Sequence, residues 1–378
     1  MVQNLGQPSL KGDLRVMISG GGTGGHIFPA IAIANAVRER ESTAQFLFVG
    51  ADGKMEMEKV PAAGFKIEGL PIRGFQRGSI AKNLSLPWRL VRSMMKARSL
   101  VRTFKPDVAV GVGGYASGPV LAAAQRMHVP TLIQEQNSFP GKTNILLSKR
   151  VDRICVAYAG MEKYFPKEKV LLTGNPVRQE VVRLTGKRPR GMELFGLQEG
   201  RPVLFITGGS LGARGVNKGV EAALPKFKEA GIQVIWQTGT PYFEQAQKAV
   251  AELGYDECKV LEFVTGMDYA YAVADLVVAR AGAISVSELC LVQKPAILVP
   301  LPTAAEDHQT HNARSLTDRG AAVLLKDADA VEQLGKTVLG LVNDTEALEK
   351  LRIAIASMGT RNAAEAIAVE VIRLARTK

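Results

Sequence analysis

Two stretches of this chain repeat one pattern. Asp107-VAVGVGGYAS-Gly118 and Asp275-LVVARAGAIS-Val286 align without a gap, setting Gly114 on Gly282 and Ser117 on Ser285. Each joins an apolar run of strand length to a glycine-bearing turn and a helical stretch, followed by a proline (Pro130, Pro295) and another apolar run. LRVMISGGGTGG (14–25) and PVLFITGGSLGA (202–213) repeat the same passage from strand to glycine turn. A duplication of this kind leaves little choice of architecture: the chain carries two copies of one α/β unit. Its 378 residues suffice for two domains.

The rest of the chain fits that reading. Strand candidates in the first half are 14–19, 45–49, 107–112, 131–134, 153–157 and 170–173; in the second they are 203–207, 233–237, 259–262, 275–279, 296–299 and 321–325. Helical patterns lie between them, among them 28–40, 54–63, 118–127, 241–253 and 284–292. Such alternation predicts parallel sheets covered by helices on both faces, with six strands in each half. The expected division is a flexible start over 1–13, a first domain over 14–177 and a second over 178–359. A stretch rich in Gly, Pro and Arg near 174–200 joins them. A last helix near 360–378, with its stripe of Ile367, Val371 and Leu374, must dock on a partner surface. In open parallel sheets ligands bind beyond the carboxyl ends of the strands, so two such domains predict a cleft between them.

Composition narrows the function classes. Hydrophobic residues make up 46% and charged residues 22% of the chain, which argues against extensive disorder. Cys155, Cys258 and Cys290 are too few and too scattered for a disulfide framework or a paired-cysteine metal site. Residues 1–13 lack the apolar core of a signal peptide. The uncharged stretches 16–37 and 108–125 are interrupted by glycines and read as strand, turn and helix, so no membrane span is expected. The net charge of +12 is concentrated: residues 69–105 hold nine Lys or Arg and no acidic residue. That segment points to an anionic partner. Its few aromatics and the lack of a nucleic-acid module argue against nucleic acid.

Three glycine turns carry the chemistry. Gly20, Gly22 and Gly25 satisfy the GxGxxG spacing between a strand and a helix, and Asp52 near the end of the next strand keeps a dinucleotide reading open. His26 at the helix start argues against it, and tight strand–helix packing is a second explanation of the glycines. Thr207–Gly212 and Arg280–Glu288 are further turns into helices, whose exposed amides suit phosphate. Glu288 either holds a ribose diol or merely favours a helix start. Pro140–Thr143 ends like a phosphate loop but has Gln136 where a glycine is needed, and Asp327-Ala328-Asp329 reads as a solvated turn. No metal site is expected from His26, His128, His308 and His311.

Taken together, GGTGGHIFPA (21–30), GVGGYASGP (111–119), QEQN (134–137), GNPVR (174–178), GGSLGAR (208–214), RAGAISVSE (280–288) and DHQTHNA (307–313) occur in the order of a known family. The chain resembles the MurG family of bacterial N-acetylglucosaminyltransferases, which convert lipid I to lipid II in peptidoglycan synthesis. The resemblance spans roughly residues 14–320. It implies the GT-B architecture, two doubly wound (Rossmann-like) α/β domains facing a cleft, with the C-terminal helix returning to the first. It implies UDP-GlcNAc as donor and lipid I as acceptor, with no cofactor and no metal. On the donor side Ser210 and Arg178 would meet the diphosphate, and backbone near Val264 would read uracil. Ala283, Ile284, Ser285, Val286 and Ser287 would surround the sugar and phosphates, Glu288 the ribose, and Gln309 the GlcNAc hydroxyls. Thr23, Gly24, Gly25, His26, Asn137 and Tyr115 would face the acceptor and the reacting centre, with His26 as base or acceptor-positioning group. The stretch before Gln309, Asp307-His308, lacks further amide side chains found in relatives.

The family also implies a peripheral place on the cytoplasmic face of the inner membrane, and other cell-wall synthesis and division proteins as partners. Ile80, Leu84, Leu86 and Trp88 lie among Arg77, Lys82 and Arg89 and suit insertion into an anionic leaflet. From Leu90 onward, Leu90, Met94, Ala97, Val101 and Phe104 form a stripe expected to pack on the first sheet. Two other functions remain compatible with the motifs: a UDP-GlcNAc 2-epimerase-like or glycolipid glycosyltransferase activity on the same fold, and a non-enzymatic protein regulated by a sugar nucleotide.

Overall fold

The computed structural model describes residues 13–74, 85–209 and 212–377. They divide into two compact units. One comprises residues up to Pro176 together with those from Asn362 onward; the other is Val177–Arg361.

The first unit is built on seven strands: β1 (Arg15–Ser19), β2 (Gln45–Ala51), β3 (Ile67–Leu70), β4 (Val108–Gly111), β5 (Thr131–Glu135), β6 (Arg153–Val156) and β7 (Val170–Leu172). They lie in the order β3-β2-β1-β4-β5-β6-β7, every neighbouring pair parallel. The second unit has β8 (Val203–Thr207), β9 (Gln233–Gln237), β10 (Cys258–Leu261), β11 (Leu276–Ala279), β12 (Ala296–Leu298) and β13 (Val323–Leu324). Their order, β10-β9-β8-β11-β12-β13, matches the first six strands of the other sheet and is again parallel throughout. The central strands are buried along nearly their whole length, which explains their continuous runs of Val, Ile, Leu and Ala.

The expected six strands in the first half become seven. The strand missing from the sequence reading is β3, a four-residue edge strand whose Ile67-Glu68-Gly69-Leu70 shows neither alternation nor an apolar run. The helix expected at 28–40 begins at Gly24, four residues earlier, with Thr23 as its N-cap in extended conformation. Pro29 lies inside this helix, beyond its first turn, so the helix forgoes one backbone donor there.

The duplication extends to single hydrogen bonds. Asp107 stands before β4 and its Oδ2 accepts from the Arg15 amide at the start of β1, at 2.8 Å. Asp275 stands before β11 and accepts from the Val203 amide at the start of β8, also at 2.8 Å. The aligned aspartates thus satisfy the first donor of the neighbouring central strand in each unit.

The C-terminal helix, Ala363–Ala375, packs on the first unit. Ile367, Val371 and Leu374 are buried in a core shared with Ile33 and Val37 of the helix Gly24–Arg40. Glu370 on the same helix takes Arg153 Nε at 2.7 Å and Arg373 at 2.8 Å. These two guanidinium partners hold its carboxyl below the usual carboxylate range, Arg373 contributing most.

The later part of the basic segment forms the helix Leu86–Phe104. Of the expected stripe, Ala97 and Val101 are buried, Phe104 packs against the same core and Met94 is partly covered, while Leu90 is half exposed; Ser93 is buried alongside them. Trp88 lies on this helix rather than in a loop and is 65% exposed. Ile80 and Leu84 lie outside the described residues. Among the described residues no helix is long and apolar enough to cross a membrane.

Candidate active site

In the first unit the glycine turn after β1 is the organising element. Thr23 caps the helix Gly24–Arg40, and its carbonyl accepts from the amides of His26 (3.1 Å) and Ile27 (3.2 Å). His26 therefore sits in the first helical turn beside Gly24 and Gly25. Its Nδ1 lies 3.0 Å from the Gly21 carbonyl and 3.3 Å from Thr23 Oγ1. A carbonyl oxygen only accepts, so Nδ1 carries the proton and Nε2 is the basic nitrogen. The ring packs against the turn after β4: a Cβ on Gly113, which has φ +94°, would stand 2.8 Å from the imidazole. Gly113 is thus required both by conformation and by the approach of His26, and Gly114, at φ +84°, by its closeness to the Gly21 backbone.

Ser117, buried in the following helix, donates to the carbonyl of Ser19 or Gly113, each at 2.8 Å, and ties the two turns together. Beside them opens a cavity of about 240 Å³ lined by Gly21, Gly22, Lys54, Glu56, Arg73 and Tyr115. Tyr115 is 55% exposed. Glu56 is buried and accepts from the amides of Gly22 (2.9 Å) and Ala51 (3.0 Å). A carboxylate of the chain itself therefore occupies an amide of the GxGxxG turn, where a dinucleotide would need room for its pyrophosphate; this removes the dinucleotide reading.

The QEQN segment forms the end of β5 and the turn beyond it. Glu135 is fully buried and accepts from Asn137 twice (amide 3.0 Å, Nδ2 3.2 Å), from the Gly141 amide (3.2 Å) and from Asn144 Nδ2 (2.8 Å). Burial nevertheless pushes its pKa above the usual carboxylate range. Pro140–Thr143, the near-match to a phosphate loop, is held by this carboxylate through Gly141. Gln134 Nε2 donates to Asn175 Oδ1 and Asn175 Nδ2 to the Gln136 carbonyl, both at 3.0 Å, so the QEQN and GNPVR motifs form one polar network.

In the second unit Gly282 caps the helix Ala283–Val292. Ala283, Val286 and Glu288 are buried, while Ile284, Ser285 and Ser287 are partly exposed. Val286 belongs to the hydrophobic core and cannot offer its side chain to a ligand. Ser287 Oγ turns back to the Ala283 carbonyl at 3.0 Å. Glu288 meets Arg178 at 3.4 Å and the Tyr271 hydroxyl at 3.4 Å. Its burial raises the carboxyl pKa, with the Arg178 guanidinium opposing that shift. The structure thus brings together two of the expected donor-site residues, Arg178 and Glu288.

The Val264 amide donates to Gln237 Oε1 at 3.2 Å, and Gln237 Nε2 donates to the Gly209 carbonyl at 2.9 Å. Buried Gln237 therefore links the glycine turn after β8 to the expected uracil-reading segment. Ser210 itself lies outside the described residues. Gln309 Oε1 accepts from the Leu301 amide at 2.9 Å. Asp327, expected in a solvated turn, forms an ion pair with Arg280 at 2.5 Å, and Arg280 also donates to the Val299 and Pro300 carbonyls. That pair braces the turn from β11 into the helix Ala283–Val292.

Glu56, Glu135, Asn175, Gln237 and Tyr271 were missed as site residues. Glu135 and Asn175 lie inside the QEQN and GNPVR motifs but show no role there by type alone, Glu135 being satisfied by its own turn (Asn137, Gly141, Asn144); Glu56, Gln237 and Tyr271 lie outside the quoted motifs. Among the described residues no three His, Cys, Asp or Glu side chains gather as a metal site.

Comparison with known proteins identifies the family of the two units. Residues 16–156 match the model of the glycosyltransferase family 28 N-terminal domain, and residues 203–367 that of its C-terminal domain. A Parabacteroides distasonis protein named UDP-N-acetylglucosamine–N-acetylmuramyl-(pentapeptide) pyrophosphoryl-undecaprenol N-acetylglucosamine transferase is 50% identical, over 95% of this chain and 98% of that protein. A Bacteroides thetaiotaomicron protein of the same name is 51% identical over 98% of this chain and all of its own length. The crystal structure of Acinetobacter baumannii MurG superimposes with a TM-score of 0.78 at 27% identity, covering 95% of this chain and 99% of that one. With two domain models across most of its length and relatives at half identity, the chain belongs to glycosyltransferase family 28.

Proposed function

We propose that this protein transfers N-acetylglucosamine from UDP-GlcNAc to the 4-hydroxyl of the N-acetylmuramyl sugar of lipid I, giving lipid II with a β-1,4 link. The observation that carries the reading is the likeness, over nearly the full length, to relatives named for that transfer. Direct displacement at the anomeric carbon inverts its configuration. It needs a base for the acceptor hydroxyl and stabilisation of the departing diphosphate. His26 Nε2 serves as the base, since Nδ1 is committed to the Gly21 carbonyl. Thr23, Gly24, Gly25, Tyr115 and Asn137 complete the acceptor side.

The second unit holds the donor. The amides opening the helix Ala283–Val292, together with Arg178 and Ser210, meet the diphosphate. Glu288 receives the ribose hydroxyls, and the carbonyl side of Val264 reads uracil because its amide is taken by Gln237. Gln309 exchanges the Leu301 amide for GlcNAc hydroxyls. The test is incubation with UDP-GlcNAc and a water-soluble lipid I analogue. A GlcNAc–MurNAc disaccharide is expected; conversion of UDP-GlcNAc without an acceptor would instead favour an epimerase-like reaction.

The lipid acceptor places the protein at an anionic membrane surface, on its cytoplasmic face. Trp88, Val91 and Met95 recur at helical spacing on the exposed side of Leu86–Phe104, and Arg89, Arg92 and Lys96 lie among them. The exposed side of this helix is the membrane-contacting patch; Ile80 and Leu84, outside the described residues, are expected to act with it. Cations near such a surface contribute about 1 kcal/mol each. Binding to anionic vesicles is expected to weaken with salt and to drop sharply in Ile80→Asp with Trp88→Asp, while activity on a soluble acceptor persists. Equal binding of mutant and wild type to the vesicles would refute the patch.

A further inference from the structure

The peptide unit between Gly21 and Gly22 is held at both ends. Its N–H, on Gly22, donates to Glu56 Oε2 at 2.9 Å; its carbonyl, on Gly21, accepts from His26 Nδ1 at 3.0 Å. The other carboxylate oxygen of Glu56 accepts from the Ala51 amide at the end of β2, at 3.0 Å. Glu56 is 1% exposed, and the backbone is shaped around it. A Cβ on Gly21 would stand 2.1 Å from its Oε1, and one on Gly50 2.5 Å from its Cγ.

Gly21 and Gly22 have φ of +154° and +85°. With no Cβ on either side, this peptide plane can turn over at small steric cost. Turning it over would exchange its carbonyl for its N–H in front of His26. Nδ1 would then have to accept, and the proton would move to Nε2, leaving no basic nitrogen on that side of the ring.

We infer that Glu56 is a positioning residue which locks the Gly21–Gly22 peptide and thereby keeps His26 in the Nδ1–H tautomer. The inference rests on the proposed role of His26 as the base. A carboxylate suits the task because two amides require two acceptors. A glutamine offers one acceptor and one NH₂ group. The Ala51 amide belongs to a strand end and is fixed, so the glycine peptide is the partner that yields. Turned over, it accepts from the glutamine NH₂ and directs its own N–H at His26.

The experiment is ¹⁵N NMR of the imidazole nitrogens in the full-length protein, with the His26 signals assigned by their loss in His26→Gln. Wild type should show Nδ1–H, and Glu56→Gln should show Nε2–H. The same variant should lose kcat by about 10²-fold, the low end of what a general base contributes. Its KM for UDP-GlcNAc should stay within about twofold, because the donor is held by the other unit and a tautomer change acts on the chemical step. A Glu56→Gln protein with His26 still protonated at Nδ1, or with a loss confined to KM, would overturn the inference. If Glu56→Gln fails to fold, the wild-type spectrum decides: Nε2–H there overturns the inference, and Nδ1–H supports it. His26→Gln with wild-type turnover would remove the base assignment alone and leave the tautomer result to be judged separately.

Discussion

Glu288 shows how burial tunes a single carboxylate. It sits in the second turn of a helix, screened from water, with a guanidinium and a phenol as its neighbours. Its raised pKa has a consequence for donor binding. On the proposed reading the ribose diol donates to the carboxylate, so donor affinity should increase as pH rises through the folded-state pKa, which burial raises. Glu288→Gln should abolish that slope, and titration of UDP binding against pH checks it. Glu288→Ala should raise the KM for UDP-GlcNAc by roughly 10–150-fold, the loss of charge-assisted bonds of about 1.5–3 kcal/mol. Unchanged donor affinity in the folded variant would place the ribose elsewhere. The type and spacing of Glu288, His26 and Arg178 were legible in the sequence because each adjoins a glycine turn or a recognisable motif. Gln237 and Glu56 were not, since their partners are backbone amides and carbonyls brought near by the fold.

At the scale of elements, the sequence periodicity located most strands and helices but misjudged faces and edges. β3 escaped because an edge strand lacks a long apolar run, and on Leu86–Phe104 the stripe held at Ala97, Val101 and Phe104 but gained Ser93, whose polarity alone assigns it to solvent, and lost Leu90. The C-terminal helix was correctly recognised as needing a surface. Its polar anchor, Glu370, was not foreseen, because Arg153 lies 217 residues away. The lowered pKa of Glu370 means that its contribution is fully present above the unfolded-state pKa and is lost as pH falls through the folded one. Glu370→Gln should therefore destabilise the protein by about 1 kcal/mol at neutral pH, a modest figure because both arginines are partly exposed. Urea unfolding at pH 7 and in acid checks this: the gap between mutant and wild type should close as pH falls below the carboxylate range. A gap that persists in acid would assign the effect to packing instead.

On the scale of the whole molecule, one parallel α/β plan is used twice, with strand orders that coincide over six positions and aligned aspartates at matching places. The copies differ at their glycine turns. In the first the glycine turn after β1 spends an amide on Glu56 and presents a histidine; in the second it is the turn after β11, counterpart of the turn after β4, that is braced by Arg280 and Asp327 and leads into a helix with a buried glutamate. This divergence supports different tasks for the copies, an acceptor with its base on one and a nucleotide on the other. The most direct test is the anomeric configuration and acceptor dependence of the product, followed by NMR with UDP-GlcNAc and a soluble lipid I analogue. Release of UDP only when the acceptor is present, with a β-linked GlcNAc in the product, is the predicted result. Turnover of UDP-GlcNAc without acceptor, or an α-linked product, would contradict the account.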